Sequence, residues 1–115
     1  VAKQVTGMGY TTPYALRLYY DKFNIRLGDG SSLQDVRYEG VETNKWYMFA
    51  GTWDGTSVKL YVNGDLKVVN SQVITPYVNT APLTFGGEVG SNRFHGLIDE
   101  VRIYNRALSA QEIWE

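Results

Sequence analysis

Residues 94–113 read FHGLIDEVRIYNRALSAQEI, and within them His95, Asp99, Glu100, Arg102 and Arg106 crowd five ionisable side chains together. A pair of carboxylates could serve as acid and base on a glycosidic bond. A histidine could move protons, and acids beside loop oxygens could hold a divalent cation. Each of these asks for a geometry. Asp99 and Glu100 are adjacent, so on a strand they point to opposite faces and cannot flank one bond. His95 is the only histidine, which excludes a zinc centre built on several. No serine stands in a strand-to-helix elbow that would make it a nucleophile. The ordinary reading of His95 is a solvated residue at a strand edge, and the sharper one is a polar ligand contact at the rim of a sheet.

On a strand, Asp99 shares a face with Leu97, Val101 and Ile103, so burial of that face is expected. A carboxylate there must be paired or hydrogen-bonded. Two readings stay open: it accepts N–H groups from a neighbouring loop, or it helps hold a cation. Glu100 and Arg102 fall on the other face with Ile98 and Tyr104, as rungs of a cross-strand charge ladder. GMGYTT (7–12) lacks the third glycine of a dinucleotide fingerprint, and GGEVGS (86–91) lacks the Lys-Ser/Thr of a phosphate loop. Neither leads into a helix, so both read as turns.

The elements that must carry these residues are strands and turns. YALRLYY (14–20) and FNIRLG (23–28) alternate with period 2, with Leu16, Leu18, Ile25 and Leu27 on one side and Arg17, Tyr19 and Arg26 on the other. Asp21-Lys22 reads as the tight connection between them. WYMFAGTW (46–53) is apolar on both faces, which predicts a central strand with Trp46 and Trp53 in the core. It ends at the turn dipeptide Asp54-Gly55. VKLYV, Asn63-Gly64 and DLKVV make a hairpin, because both turn residues tolerate positive φ. Val58, Leu60 and Val62 face the core, and Lys59 and Tyr61 face away. Residues 70–82 are mostly loop, PLTFGG holds a short strand, and FHGLIDEVRIYN is a long one. Ser109 and Glu112 have capping-box spacing and open a helical turn, from which Trp114 caps the structure. Many short strands with frequent turns argue for an all-β sandwich or barrel.

Composition agrees. The chain of 115 residues suits one domain, residues 1–115, and its 43% hydrophobic content is enough for a packed interior. A net charge of −1 with no run of Lys and Arg leaves nucleic-acid binding without an electrostatic start. No apolar stretch approaches the ~20 residues of a membrane span. There is no cysteine, hence neither a disulfide nor a thiolate metal site. Starting at Val1 without an initiator Met or signal peptide, the chain reads as part of something longer.

WYMFAGTWDGTSVKLYVNGDL, PLTFGG and RFHGLIDEVRIYNRALSAQEI together resemble the laminin-G-like members of the concanavalin A-like lectin/glucanase superfamily. The most specific residues are Gly96, Ile98-Asp99-Glu100-Val101, Tyr104 and Ala107-Leu108-Ser109. The resemblance implies an antiparallel jelly-roll β-sandwich, here lacking the N-terminal strands usual in the family, with one short C-terminal helical turn. It also implies a module that binds carbohydrate or protein without catalysis, often with calcium, in secreted or surface proteins. Related endoglucanases carry Glu-x-Asp-x-x-Glu on one strand, whereas the corresponding register here reads Leu97-Ile98-Asp99-Glu100-Val101-Arg102. That departure speaks against an enzyme. By analogy with pentraxins, Glu88 stands where a calcium ligand would, while Gly90 replaces a second acid. With the upstream strands missing, the edge along 94–104 is uncovered, and dimerisation or strand exchange is the expectation.

Glycans bind to aromatic faces flanked by planar polar groups. Arg17, Tyr19, Arg26, Lys59 and Tyr61 would form one such face, suited to a polyhydroxylated and anionic sugar. A rim of Glu88, Asn92, Arg93 and His95 is a second candidate. The expected carbohydrate contacts are Arg17, Tyr19, Arg26, Tyr61, Asn92, Arg93 and His95, and the expected calcium ligands are Glu88 and Asp99. The leading expectation is an extracellular or cell-surface lectin-like module for a glycan or polysaccharide. The alternative is a protein-interaction or structural module with no glycan affinity.

Overall fold

The computed structural model describes residues 2–3, 10, 12–71, 74–87 and 93–114. In chain order its elements are β1 (Ala2–Lys3), β2 (Tyr14–Tyr19), β3 (Lys22–Gly28), β4 (Leu33–Tyr38), β5 (Phe49–Trp53), β6 (Val58–Val62), β7 (Asp65–Asn70), β8 (Leu83–Thr84) and α1 (Ala110–Trp114). They form two antiparallel sheets, ordered β4-β3-β2-β1-β8 and β5-β6-β7.

The turns are set by local chemistry. Asp29-Gly30-Ser31-Ser32 joins β3 to β4, and Asp54-Gly55-Thr56-Ser57 joins β5 to β6. In the first, Asp29 Oδ1 accepts the N–H groups of Ser31 and Ser32 at 2.8 and 2.6 Å. In the second, Asp54 Oδ1 accepts those of Thr56 and Ser57 at 2.8 and 2.7 Å. Both are side-chain mimics of a backbone turn. Asn63 and Gly64 take φ of 53° and 82°, as the two-residue β6–β7 hairpin requires. The β2–β3 turn is Tyr20-Asp21, one residue earlier than the alternation suggests, with Tyr20 itself at φ 55°.

Phe23, Ile25, Leu27 and Val36 of the first sheet meet Val58, Leu60 and Val62 of the second in one core. Full burial of such a side chain is worth roughly 1.5–3 kcal/mol. Phe23 stacks on Phe49, with ring centroids 4.2 Å apart. Gly51 lets the sheets close: a Cβ there would lie 2.5 Å from Ile25 Cδ1 and 3.1 Å from Leu16 Cδ2.

Three expectations are corrected. β5 is an edge strand of its sheet, not a central one, so Trp46 and Trp53 are 66% and 37% exposed rather than core. β4 is an additional strand, in which only Leu33 and Arg37 are exposed. The largest difference is residues 94–104, which form no strand among the described residues. Alternation provides a strand with a face, but a strand also needs a ladder partner. Among the described residues no strand of either sheet pairs with this segment. Leu97, Val101 and Ile103, expected to be buried, are all exposed, and Glu100 sits at φ 52°, outside the β region.

The C-terminal turn forms as its residues predict. Ser109 N–H donates to Glu112 Oε2 at 2.8 Å, and Glu112 N–H donates to Ser109 Oγ at 3.2 Å. This is the reciprocal capping box. Arg106 grips the same carboxylate with two bonds of 2.9 and 2.7 Å. The Trp114 ring lies over Gly64, where a Cβ would collide with it.

Candidate functional site

The antiparallel registers of β2, β3 and β4 lay polar side chains in rows across the outer face of the first sheet. Arg17 pairs with Asn24, and Asn24 with Arg37. In the next row Ala15 pairs with Arg26, and Arg26 with Asp35. Ile25, between Asn24 and Arg26, points inward to the core. Period 2 therefore sends Arg17, Asn24, Arg26, Asp35 and Arg37 to the other side.

Asp35 is the hub of this face. Arg26 holds it through two parallel bonds, Nε to Oδ1 and Nη2 to Oδ2, both 2.6 Å. Arg37 Nη2 reaches Oδ2 at 2.9 Å, and Arg17 Nη2 approaches it at 3.8 Å. Burial alone would raise the Asp35 carboxyl, but the guanidiniums of Arg26, Arg37 and Arg17 outweigh it and hold the group below the usual carboxylate range. Burial, and then the neighbouring Arg26, lower Arg17 from its ordinary value, and Asp35 opposes them. Three guanidiniums against one carboxylate leave these four side chains with an excess of two positive charges.

Arg17 Nε donates to Asn24 Oδ1 at 2.6 Å. Asn24 is fully buried, and its Nδ2 has no hydrogen-bond partner among the described residues. The side chains of Arg17, Arg26 and Asp35 are only 15%, 14% and 17% exposed, while that of Arg37 is 46% exposed. Beside them the Arg17 guanidinium sits 5.1 Å from the centre of the Tyr19 ring, and Tyr19 meets Tyr20 edge to face at 4.8 Å. Tyr20, raised by its left-handed backbone, is 83% exposed. The accessible surface is thus two tyrosines and Arg37, backed by a half-buried cationic network.

Of the residues expected to bind sugar, Arg17, Tyr19 and Arg26 come together here. Tyr61 does not join them. It is 2% exposed and lies on β6 between the inward-facing Leu60 and Val62, on the side of the second sheet turned away from the first. Lys59 shares that side. Tyr61 is therefore withdrawn from the face. Arg93 and His95 are exposed on the segment 93–108, apart from both sheets, whereas Asn92 and Glu88 lie outside the described residues.

Asp99 is exposed, and its Oδ1 accepts the N–H of Glu100 at 2.8 Å. Calcium takes six to eight oxygen ligands. Among the described residues no three of His, Cys, Asp and Glu stand together to hold a metal, and Glu88, the other expected ligand, lies outside them.

Tyr20, Asn24, Asp35 and Arg37 are the members of the face that the alternation alone did not single out. The DGSS turn carries the signal, because pairing outward from it sets Arg26 opposite Asp35 and Asn24 opposite Arg37.

A family model of the laminin-G-like type, described as the concanavalin A-like lectin/glucanases superfamily, matches residues 4–114. Among solved structures, an S-layer domain-containing protein from Clostridium thermocellum ATCC 27405 is similar, with a TM-score of 0.54 and 23% sequence identity. The match covers 81% of this chain and 50% of that one, so the chain spans half the length of its neighbour. At this identity the likeness bears on the fold. No curated protein matches the chain.

Proposed function

The chain belongs to the laminin-G-like family of the concanavalin A-like lectin/glucanase superfamily, and from that premise we propose that it is a non-catalytic carbohydrate-binding module of a secreted or surface protein. The observation that carries this reading is the exposed Tyr19–Tyr20 pair and Arg37, set beside the Arg17–Asp35–Arg26 network with its positive excess. Tyrosine rings stack against the apolar faces of sugar rings, and an arginine fork recognises a carboxylate or sulfate in two places. The substrate class is an anionic polysaccharide, rich in uronic acid or sulfate. A location at the cell surface accords with the family and with an S-layer domain-containing protein as its structural neighbour.

Binding of acidic and neutral polysaccharides on an array, in calcium and again in EDTA, tests the proposal. Acidic glycans should bind in both buffers. Arg37→Ala should weaken that binding about tenfold or more, the worth of one charge-assisted hydrogen bond, and Tyr19→Ala should weaken it as well. Affinity that vanishes in EDTA would move the site to a calcium centre using Glu88 and Asp99. No glycan affinity in either buffer would refute the reading. The second reading, a protein-interaction module, is favoured by a separate observation: residues 93–108 expose an apolar segment that pairs with no strand among the described residues.

A further inference from the structure

At the start of the segment 93–108 the Phe94 N–H donates to the Gly86 carbonyl at 2.7 Å. Beyond it, an open cleft separates the segment from the inner face of β2 and the edge strand β5, with Leu16, Leu18, Phe49, Phe94, Ile98 and Val101 on its walls. Leu97 is 78% exposed, and Ile98, Ile103 and Tyr104 are each about half exposed. Alternating apolar residues on an unpaired backbone are a template for another strand.

We infer that the partner strand is the same segment of a second copy of this chain, paired antiparallel about a two-fold axis at Val101. The charges argue for this occupant and this register. With Val101 opposite its own copy, Glu100 faces Arg102 of the second chain and Arg102 faces Glu100, on the same side of the ribbon. Ile98 meets Tyr104 on that side, and Asp99 and Leu97 meet Ile103 and Asn105 on the other. Moving the axis by one residue stacks Glu100 on Glu100, or Arg102 on Arg102. Sliding by a single residue sets Glu100 against Val101 and mixes the two faces. An in-register parallel pair would put every charge beside its like.

In the single chain, Arg102 Nη2 bonds instead to Glu100 Oε2 of the same chain at 2.7 Å, with both side chains well exposed. Glu100 is also held at φ 52°. Pairing exchanges the two local contacts, one in each chain, for two cross-chain ones and returns Glu100 to the β region that any strand residue prefers. The inference does not depend on glycan affinity.

Sedimentation equilibrium of the whole chain is the test. A species of twice the 13.0 kDa chain mass is expected at high concentration. Glu100→Arg or Arg102→Glu alone replaces both opposite-charge pairs by like-charge pairs, and should raise the dimer dissociation constant about tenfold or more. The double reversal should restore it, and mixing the two single variants should give a heterodimer. Both side chains are exposed, so the monomer fold tolerates these changes. Because the chain has no cysteine, Val101→Cys should cross-link to its copy under mild oxidation, with Cα atoms roughly 4.5–5.5 Å apart. Asp99→Cys should not, since its copies would lie about 14 Å apart along the ribbon. A monomer at every concentration would overturn the inference, whether its 95–104 amides exchange freely or are protected by another part of the chain. So would a dimer indifferent to single reversals, or equal cross-linking at 99 and 101.

Discussion

Asp35→Asn removes the one carboxylate from a cluster of three guanidiniums. The wild-type carboxylate accepts two bonds of 2.6 Å from Arg26 and one of 2.9 Å from Arg37. Hydrogen bonds to charged groups are worth roughly 1.5–3 kcal/mol each, and an amide can keep at most a fraction of them. What remains is three cations close together, with Arg17 and Arg26 only 15% and 14% exposed. Stripping the partner from a buried pair costs about 3–5 kcal/mol, and the residual solvent access at this face brings the expectation to about 2–4 kcal/mol. Urea denaturation should show the midpoint falling with the m-value unchanged. The pH dependence follows from the depressed carboxyl. Its stabilisation is fully present above the unfolded value of about 3.9 and is lost as pH falls below that through the folded value. The acid limb of stability should therefore flatten in Asp35→Asn. A loss under about 1 kcal/mol, or an unchanged acid limb, would refute the assignment of Asp35 as hub.

Gly28→Ala should destabilise through its backbone neighbours, because a Cβ there meets the carbonyl oxygens of Tyr10 and Thr12. Overpacking of about 1–3 kcal/mol should lower the melting temperature by roughly 5–20 °C; a shift within experimental error would show that the strand end yields freely. Glu112→Gln should speed amide exchange over residues 110–114 and change Trp114 fluorescence, since Arg106 and the Ser109 N–H hold the Glu112 carboxyl down to about 2. That contact is complete above the ordinary carboxylate range and is lost as pH falls towards about 2. The wild type should then come to match the variant in acid, and equal exchange at neutral pH would sink the capping role. Tyr61→Phe should leave glycan binding unchanged because Tyr61 is buried away from the face; a loss on the array would return it to the site.

How much of this was legible varies with the range of the physics. Asn63-Gly64, Asp54-Gly55 and the Ser109–Glu112 box are satisfied by atoms within a few residues, and all three form as their types require. The alternation of β2, β3 and β6 likewise announces the core of Ile25, Leu27, Val58, Leu60 and Val62. β4 was harder to see, because its inward set, Gln34, Val36 and Tyr38, includes an amide and a phenol.

Thus the local turn chemistry, the strand period, the all-β class and the family-bearing motifs are properties of the sequence by itself, each decided between near neighbours along the chain. Tertiary structure alone decided the rest, because it depends on what stands across space. Arg17 and Tyr61 occupy equivalent outward positions on their strands, yet one belongs to an accessible cationic face and the other is sealed from solvent. Residues 94–104 have the alternation of a strand as clear as any in the chain. They remain outside both sheets because a β-strand completes its backbone hydrogen bonds only against a neighbour, and among the described residues no strand pairs with them.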